Sequence, residues 1–173
     1  MLNKYIFYDS DSSGDADYDI KGIEYRKLLS TCLKYCTSIS FCFRKTNFPI
    51  HWDERMENYR INVTIDVLKA YAHYGFACDD TSFAGRYYDV RYYRLCQETL
   101  QLLLQMSDSL FSWVSDSINR KPDDPVFYRS DGSIFFFSCV HEGYCYLIPK
   151  PFEDVSDILS VGNWVIEETH EDR

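Results

Sequence analysis

The last third of the chain constrains the fold most. Val126 to Arg129, Ser133 to His141 and Tyr144 to Ile148 are rich in β-branched and aromatic residues, and only Ser130-Asp131-Gly132 and Glu142-Gly143 separate them. Connections that short cannot carry a crossover, so the three runs pair antiparallel as a meander. Pro149 and Pro151 end it, because proline has no N–H to give to a ladder. The rest of the chain has to cover that sheet.

Upstream, Lys4 to Tyr8 reads as a short strand. Tyr25, Leu28, Leu29, Cys32, Leu33 and Cys36 then recur at helical spacing in a segment that starts near Ile20. Ser38 to Arg44 alternates, with Ile39, Phe41 and Phe43 on one face and Ser40 and Cys42 on the other, the pattern of a half-buried strand. Ile61 to Val67 fits both a strand and a helix, and a helix is favoured for Leu68 to Tyr74 because Gly75 caps it. The longest predicted element is a helix from about Tyr87 to Ser117, since Tyr88, Tyr92, Leu95, Thr99, Leu102, Met106, Leu110 and Trp113 recur at spacings of three and four. A short helix at Glu153 to Ser160 and a strand at Asn163 to Ile166 close the chain. The expected class is α+β: a mostly antiparallel sheet with a C-terminal β-meander, packed against one long and two or three shorter helices. With 173 residues the expectation is one globular domain, 1–173.

Charge limits the partners. Lys and Arg number 18 against 27 Asp and Glu, a net charge of −9, so phosphate backbones are repelled and basic protein surfaces attract. The 15 Tyr, 12 Phe and 3 Trp exceed what a core of this size needs, and tyrosine-rich surfaces suit protein contacts. Seven cysteines, an odd number without framework spacing, point to free thiols in a reducing compartment. The first residues show no basic region followed by a long apolar run, and no window is apolar enough to span a membrane. A cytoplasmic protein is expected, with no direct nucleic-acid or membrane partner.

Several segments carry groups that could do chemistry. After the first strand, Asp9, Asp11, Asp15, Asp17 and Asp19 crowd into eleven residues. Counted as a calcium loop from Asp9, position twelve is Ile20 instead of the bidentate Glu, which excludes an EF-hand. Tyr5-Ile6-Phe7-Tyr8-Asp9-Ser10-Asp11 is similar to the first motif of haloacid-dehalogenase-like phosphatases, with Ser12-Ser13 where that family has Gly-Thr. The resemblance implies Asp9 as nucleophile, Asp11 as general acid and magnesium alongside. Cys139, His141 and Cys145 have a metal-like spacing. A two-residue Glu142-Gly143 turn, however, sets Cys145 opposite Val140 and so away from the other two, and no fourth ligand follows. Arg86-Tyr87-Tyr88-Asp89-Val90-Arg91-Tyr92-Tyr93-Arg94 repeats Arg-Tyr-Tyr. On a helix it lines Tyr87, Arg91 and Arg94 along one stripe, suited to clamping an acidic group.

No complete catalytic set emerges, so a binding protein ranks above an enzyme and no cofactor or resident metal is expected. The leading expectation is an acidic inhibitor or immunity-type protein, a mimic of nucleic-acid charge that neutralises a basic effector such as a nuclease or toxin. The residues expected to meet it are Asp9, Asp11, Asp15, Asp17 and Asp19 with Tyr18 as anchor, and Arg86, Tyr87, Arg91 and Arg94 as a second patch. The alternatives are a magnesium-dependent phosphoryl hydrolase using Asp9 and Asp11, and an oligomeric structural or sensor protein with the Arg/Tyr helix as its interface.

Overall fold

The computed structural model of the chain describes residues 3–9, 18–44, 49–62, 88–160 and 162–167. Among them run eight strands: β1 (Lys4–Tyr8), β2 (Ser38–Arg44), β3 (Arg60–Ile61), β4 (Tyr88–Arg94), β5 (Asp123–Tyr128), β6 (Ile134–Cys139), β7 (Tyr144–Leu147) and β8 (Val165–Glu167). They form one sheet in the order β3-β4-β2-β5-β6-β7-β1-β8, and every adjacent pair is antiparallel. Helices α1 (Ile23–Tyr35), α2 (Gln97–Met106) and α3 (Ser156–Leu159) complete an α+β fold. No helix among the described residues is long and apolar enough to cross a membrane.

The meander is present as β5, β6 and β7, with one irregularity that aims side chains. Phe127 faces Phe136 but Tyr128 faces Ile134, so Phe135 is an extra residue in β6. The bulge lets consecutive Phe135 and Phe136 enter the same core as Leu28, Leu29 and Cys32 of α1. Phe41 and Trp113 join them, their ring centroids 4.9 Å apart. Tyr92, Val126, Tyr128, Ile134, Phe137 and Cys139 make a second buried cluster. β2 is therefore buried from Ser38 through Phe43 rather than half-buried. It lies between β4 and β5 in the middle of the sheet, where apolar residues meet both faces.

The long helix expected from Tyr87 to Ser117 does not form. Tyr88 to Arg94 is β4, paired with β2 from Arg44↔Tyr88 to Ser38↔Arg94. α2 spans only ten residues. Tyr, Val and Asp are poor helix formers while Tyr and Val suit a pleated, packed surface, so the same string satisfies both periods and pairing decides. α2 starts where Thr99 Oγ1 accepts the Cys96 N–H at 2.9 Å, capping the first turn. The helical interface expected for an oligomer is thus an interior strand. β1, which ends one residue before Asp9, is antiparallel to both β7 and β8. The expected helix Leu68 to Tyr74 lies outside the described residues.

Candidate functional site

The acidic segment is pinched at its root. The Asp9 N–H donates to the Gly143 carbonyl at 2.8 Å, and the Tyr18 N–H donates to the Asp9 carbonyl at 2.6 Å. The chain therefore leaves the sheet beside the β6–β7 turn and returns to the same point. Gly143 has φ 71, and a Cβ there would run into the Asp9 carboxylate, so glycine is required twice over. Asp11, Asp15 and Asp17 lie outside the described residues.

The flanking acids differ in use. Asp19 is committed internally: its carboxylate accepts from Ser109 Oγ at 2.6 Å and from the Phe111 N–H at 3.3 Å. The Leu110 N–H meets the Ile20 carbonyl, and the Gly22 N–H meets the Asp108 carbonyl, zipping residues 19–22 to 108–111. Tyr18 packs partly buried on the main core. Both line a cavity of about 180 Å³ with Phe7, Leu28, Ile158 and Trp164, below the ~300 Å³ at which ordinary ligand pockets begin.

Among the described residues of the Arg/Tyr string, Arg91 and Arg94 lie on a strand and share no helical stripe. Arg91 Nε meets Asp89 Oδ2 at 2.8 Å and its guanidinium lies 4.2 Å over the Phe43 ring. Arg94 is exposed and lies 5.5 Å over Tyr59. The two arginines have different partners because a strand, unlike a helix, does not align residues three apart. Arg86 and Tyr87 lie outside the described residues.

A cluster the sequence only half revealed sits at the hairpin end. The turn between β6 and β7 is longer than two residues: Val140–Glu142 form a 3-10 turn, Gly143 follows with a left-handed backbone, and Cys139 pairs with Tyr144. Cys145 pairs with Ser138, so it still points away from Cys139. His141, released from the ladder, turns instead to Asp124. His141 Nδ1 is 3.3 Å from Asp124 Oδ2, and Cys139 Sγ lies 3.8 Å from each ring nitrogen. Asp124, Cys139 and His141 each present a ligand atom within 4.8 Å of the others.

Asp124 reaches this position through a second bulge. Ser40 pairs with Val126 and Cys42 with Asp123, leaving Asp124 and Pro125 opposite Phe41 alone. Asp124 carries φ 55, a conformation Asp tolerates better than most side chains, and bulges of this kind re-aim a side chain. Its Oδ1 accepts the Val140 N–H at 2.7 Å, which leaves Oδ2 for His141. Asp123 goes elsewhere, taking the Ser115 N–H and, at 2.8 Å, the Ser115 hydroxyl.

The thiol and the imidazole are both shifted upward. Burial, with Asp124 and Glu142 nearby, pushes the Cys139 thiol up to about 12, so it stays protonated at neutral pH. The Asp124 hydrogen bond holds His141 above the usual imidazole range, so more of it is protonated near neutral pH than of a free imidazole. What remains is a set of S, N and O donors rimmed by carboxylates. In the sequence Asp124 stands in Pro122-Asp123-Asp124-Pro125, and its role needs the bulge, which no local pattern announces. The chain matches no family model, no curated protein and no solved structure.

Proposed function

We propose that the chain is an acidic binding protein that neutralises a basic effector protein by covering the cationic surface with which that effector handles nucleic acid. The observation that carries the reading is the net charge of −9 together with the root of the acidic segment. Asp9 is fixed against the Glu142-Gly143 turn, so the segment carrying Asp11, Asp15 and Asp17 starts beside the exposed Glu142. Like charges gathered at one place steer a basic partner and quicken encounter, while packed aromatic or arginine anchors set dissociation. Tyr18 contributes its partly exposed ring beside that root. Asp19 supports the site from behind instead of touching the partner.

The test is affinity capture from the source organism with the native chain and with a triple variant, Asp11→Lys, Asp15→Lys and Asp17→Lys. A basic protein enriched by the native chain and lost with the variant supports the reading. Association of the purified pair should slow as salt rises. If no basic protein is enriched, or if the triple variant keeps it, the reading is abandoned.

A further inference from the structure

We infer that Asp124, Cys139 and His141 form a binding site for a single divalent transition-metal ion of the zinc type. Donor spacing is the first argument. Tetrahedral zinc with ordinary bond lengths sets S, N and O donors about 3.3–3.6 Å apart. The pair His141 Nδ1 and Asp124 Oδ2 is 3.3 Å apart, and Cys139 Sγ is 3.8 Å from the imidazole nitrogens. The equal sulfur distances place Sγ beside the ring rather than on one nitrogen. His141 Nδ1 is thus within reach of both Oδ2 and Sγ, and the side chain is 47% exposed.

The surroundings give the second argument. Asp124 Oδ1 is occupied by the Val140 N–H, which fixes the carboxylate and leaves one oxygen as a ligand. Glu142 Oε1 lies 3.9 Å from His141 Nε2, near enough to close on that nitrogen as the carboxylate that orients a metal-bound histidine. The Cys139 sulfur accepts from the Tyr144 hydroxyl and the Glu142 backbone N–H, donors that stabilise a coordinated thiolate. Asp124 and Cys139 are buried while His141 is exposed, so the fourth position opens to solvent on the histidine side. One thiolate, one carboxylate and a neutral imidazole balance a dication, and the Cys139 proton leaves to solvent as the metal enters. A thiolate in the set favours zinc over magnesium or calcium, which take oxygen donors. Three protein ligands make a site that exchanges its fourth ligand rather than a closed structural one.

The experiment uses the full chain after dialysis against a chelator. Cobalt(II) is added and followed by absorption, and zinc is then titrated by calorimetry. The expected result is a thiolate-to-cobalt charge-transfer band with tetrahedral ligand-field bands, displaced by one equivalent of zinc. Cys139→Ser abolishes the charge-transfer band. His141→Ala, at an exposed position that leaves the core intact, weakens zinc more than the ~10–100-fold typical of an outer-shell change, and Glu142→Gln falls within that range. Circular dichroism confirms that each variant is folded. No charge-transfer band in the native chain overturns the inference, as does zinc affinity unchanged in His141→Ala. Loss of zinc binding in the Asp11, Asp15, Asp17 triple-lysine variant, with the His141 variant unaffected, transfers the metal to the acidic loop and equally overturns it.

Discussion

Arg129 and Glu153 close a bidentate ion pair inside the protein, Nε to Oε1 and Nη2 to Oε2 both at 2.6 Å. Arg129 also donates to the carbonyls of Ile134 and Ile148 at 2.7 Å each, so one guanidinium ties β5, the start of β6 and the segment after β7 to the loop before α3. Removing one partner strands the other charge. Glu153→Ala should lower stability by about 3–5 kcal/mol, read as a shift in the urea midpoint, and Glu153→Gln by less.

The same pair gives a pH dependence of known sign. Burial pushes Glu153 up, but the Arg129 hydrogen bonds, the Lys150 N–H and the guanidinium charge outweigh it and hold the carboxyl below its ordinary value. A depressed carboxyl contributes stability that is complete above the unfolded value of about 4.3 and is lost as pH falls through the lower folded value. Urea midpoints should therefore drop below about pH 4.3, and the Glu153→Gln variant should show a shallower drop. An equal slope in both proteins rules this assignment out.

Trp113 Nε1 donates to Tyr25 Oη at 2.7 Å, with both side chains buried. Tyr25→Phe leaves the indole N–H without its acceptor while the ring volume stays, which should cost about 1–3 kcal/mol. Trp113→Phe removes the other partner and adds a cavity, and should cost more. Thermal denaturation of the two variants ranks them.

Gly143 combines a left-handed backbone with the Asp9 carboxylate against its Cα. Gly143→Ala should destabilise by more than the ~1–2 kcal/mol of the backbone term alone, because Asp9 has to move. Asp9→Ala in the same chain should recover the excess but not the backbone part. A double-mutant cycle by urea denaturation measures the coupling; purely additive effects would show that the carboxylate does not lie there.

The cluster at the hairpin end shows where local reading stopped. Cys139 and His141 are two residues apart and visible as a pair in the sequence. Their third neighbour, Asp124, lies fifteen residues upstream of Cys139 by numbering and reaches them only because β5 gains one residue against β2. The expected tight turn put His141 in the ladder. The 3-10 turn Val140–Glu142 took it out and freed its ring for the carboxylate.

The meander, β1, β2 and the first helix were determined by the sequence itself, because alternation, helical spacing and turn residues are local properties that survive any packing. The α+β class followed from their order. The state of Tyr88 to Arg94 was decided only by tertiary structure, since a string of tyrosines and arginines satisfies both periods and the free edge of β2 takes it as a strand. Tertiary structure also settled which charges are engaged: Asp19 binds Ser109 and Arg91 binds Asp89, contacts that depend on where distant segments come to rest. The net charge of −9 was fixed by composition. That its acidic segment starts against the Glu142-Gly143 turn was fixed by the antiparallel pairing of β1 with β7, a non-local contact that no single stretch of chain encodes.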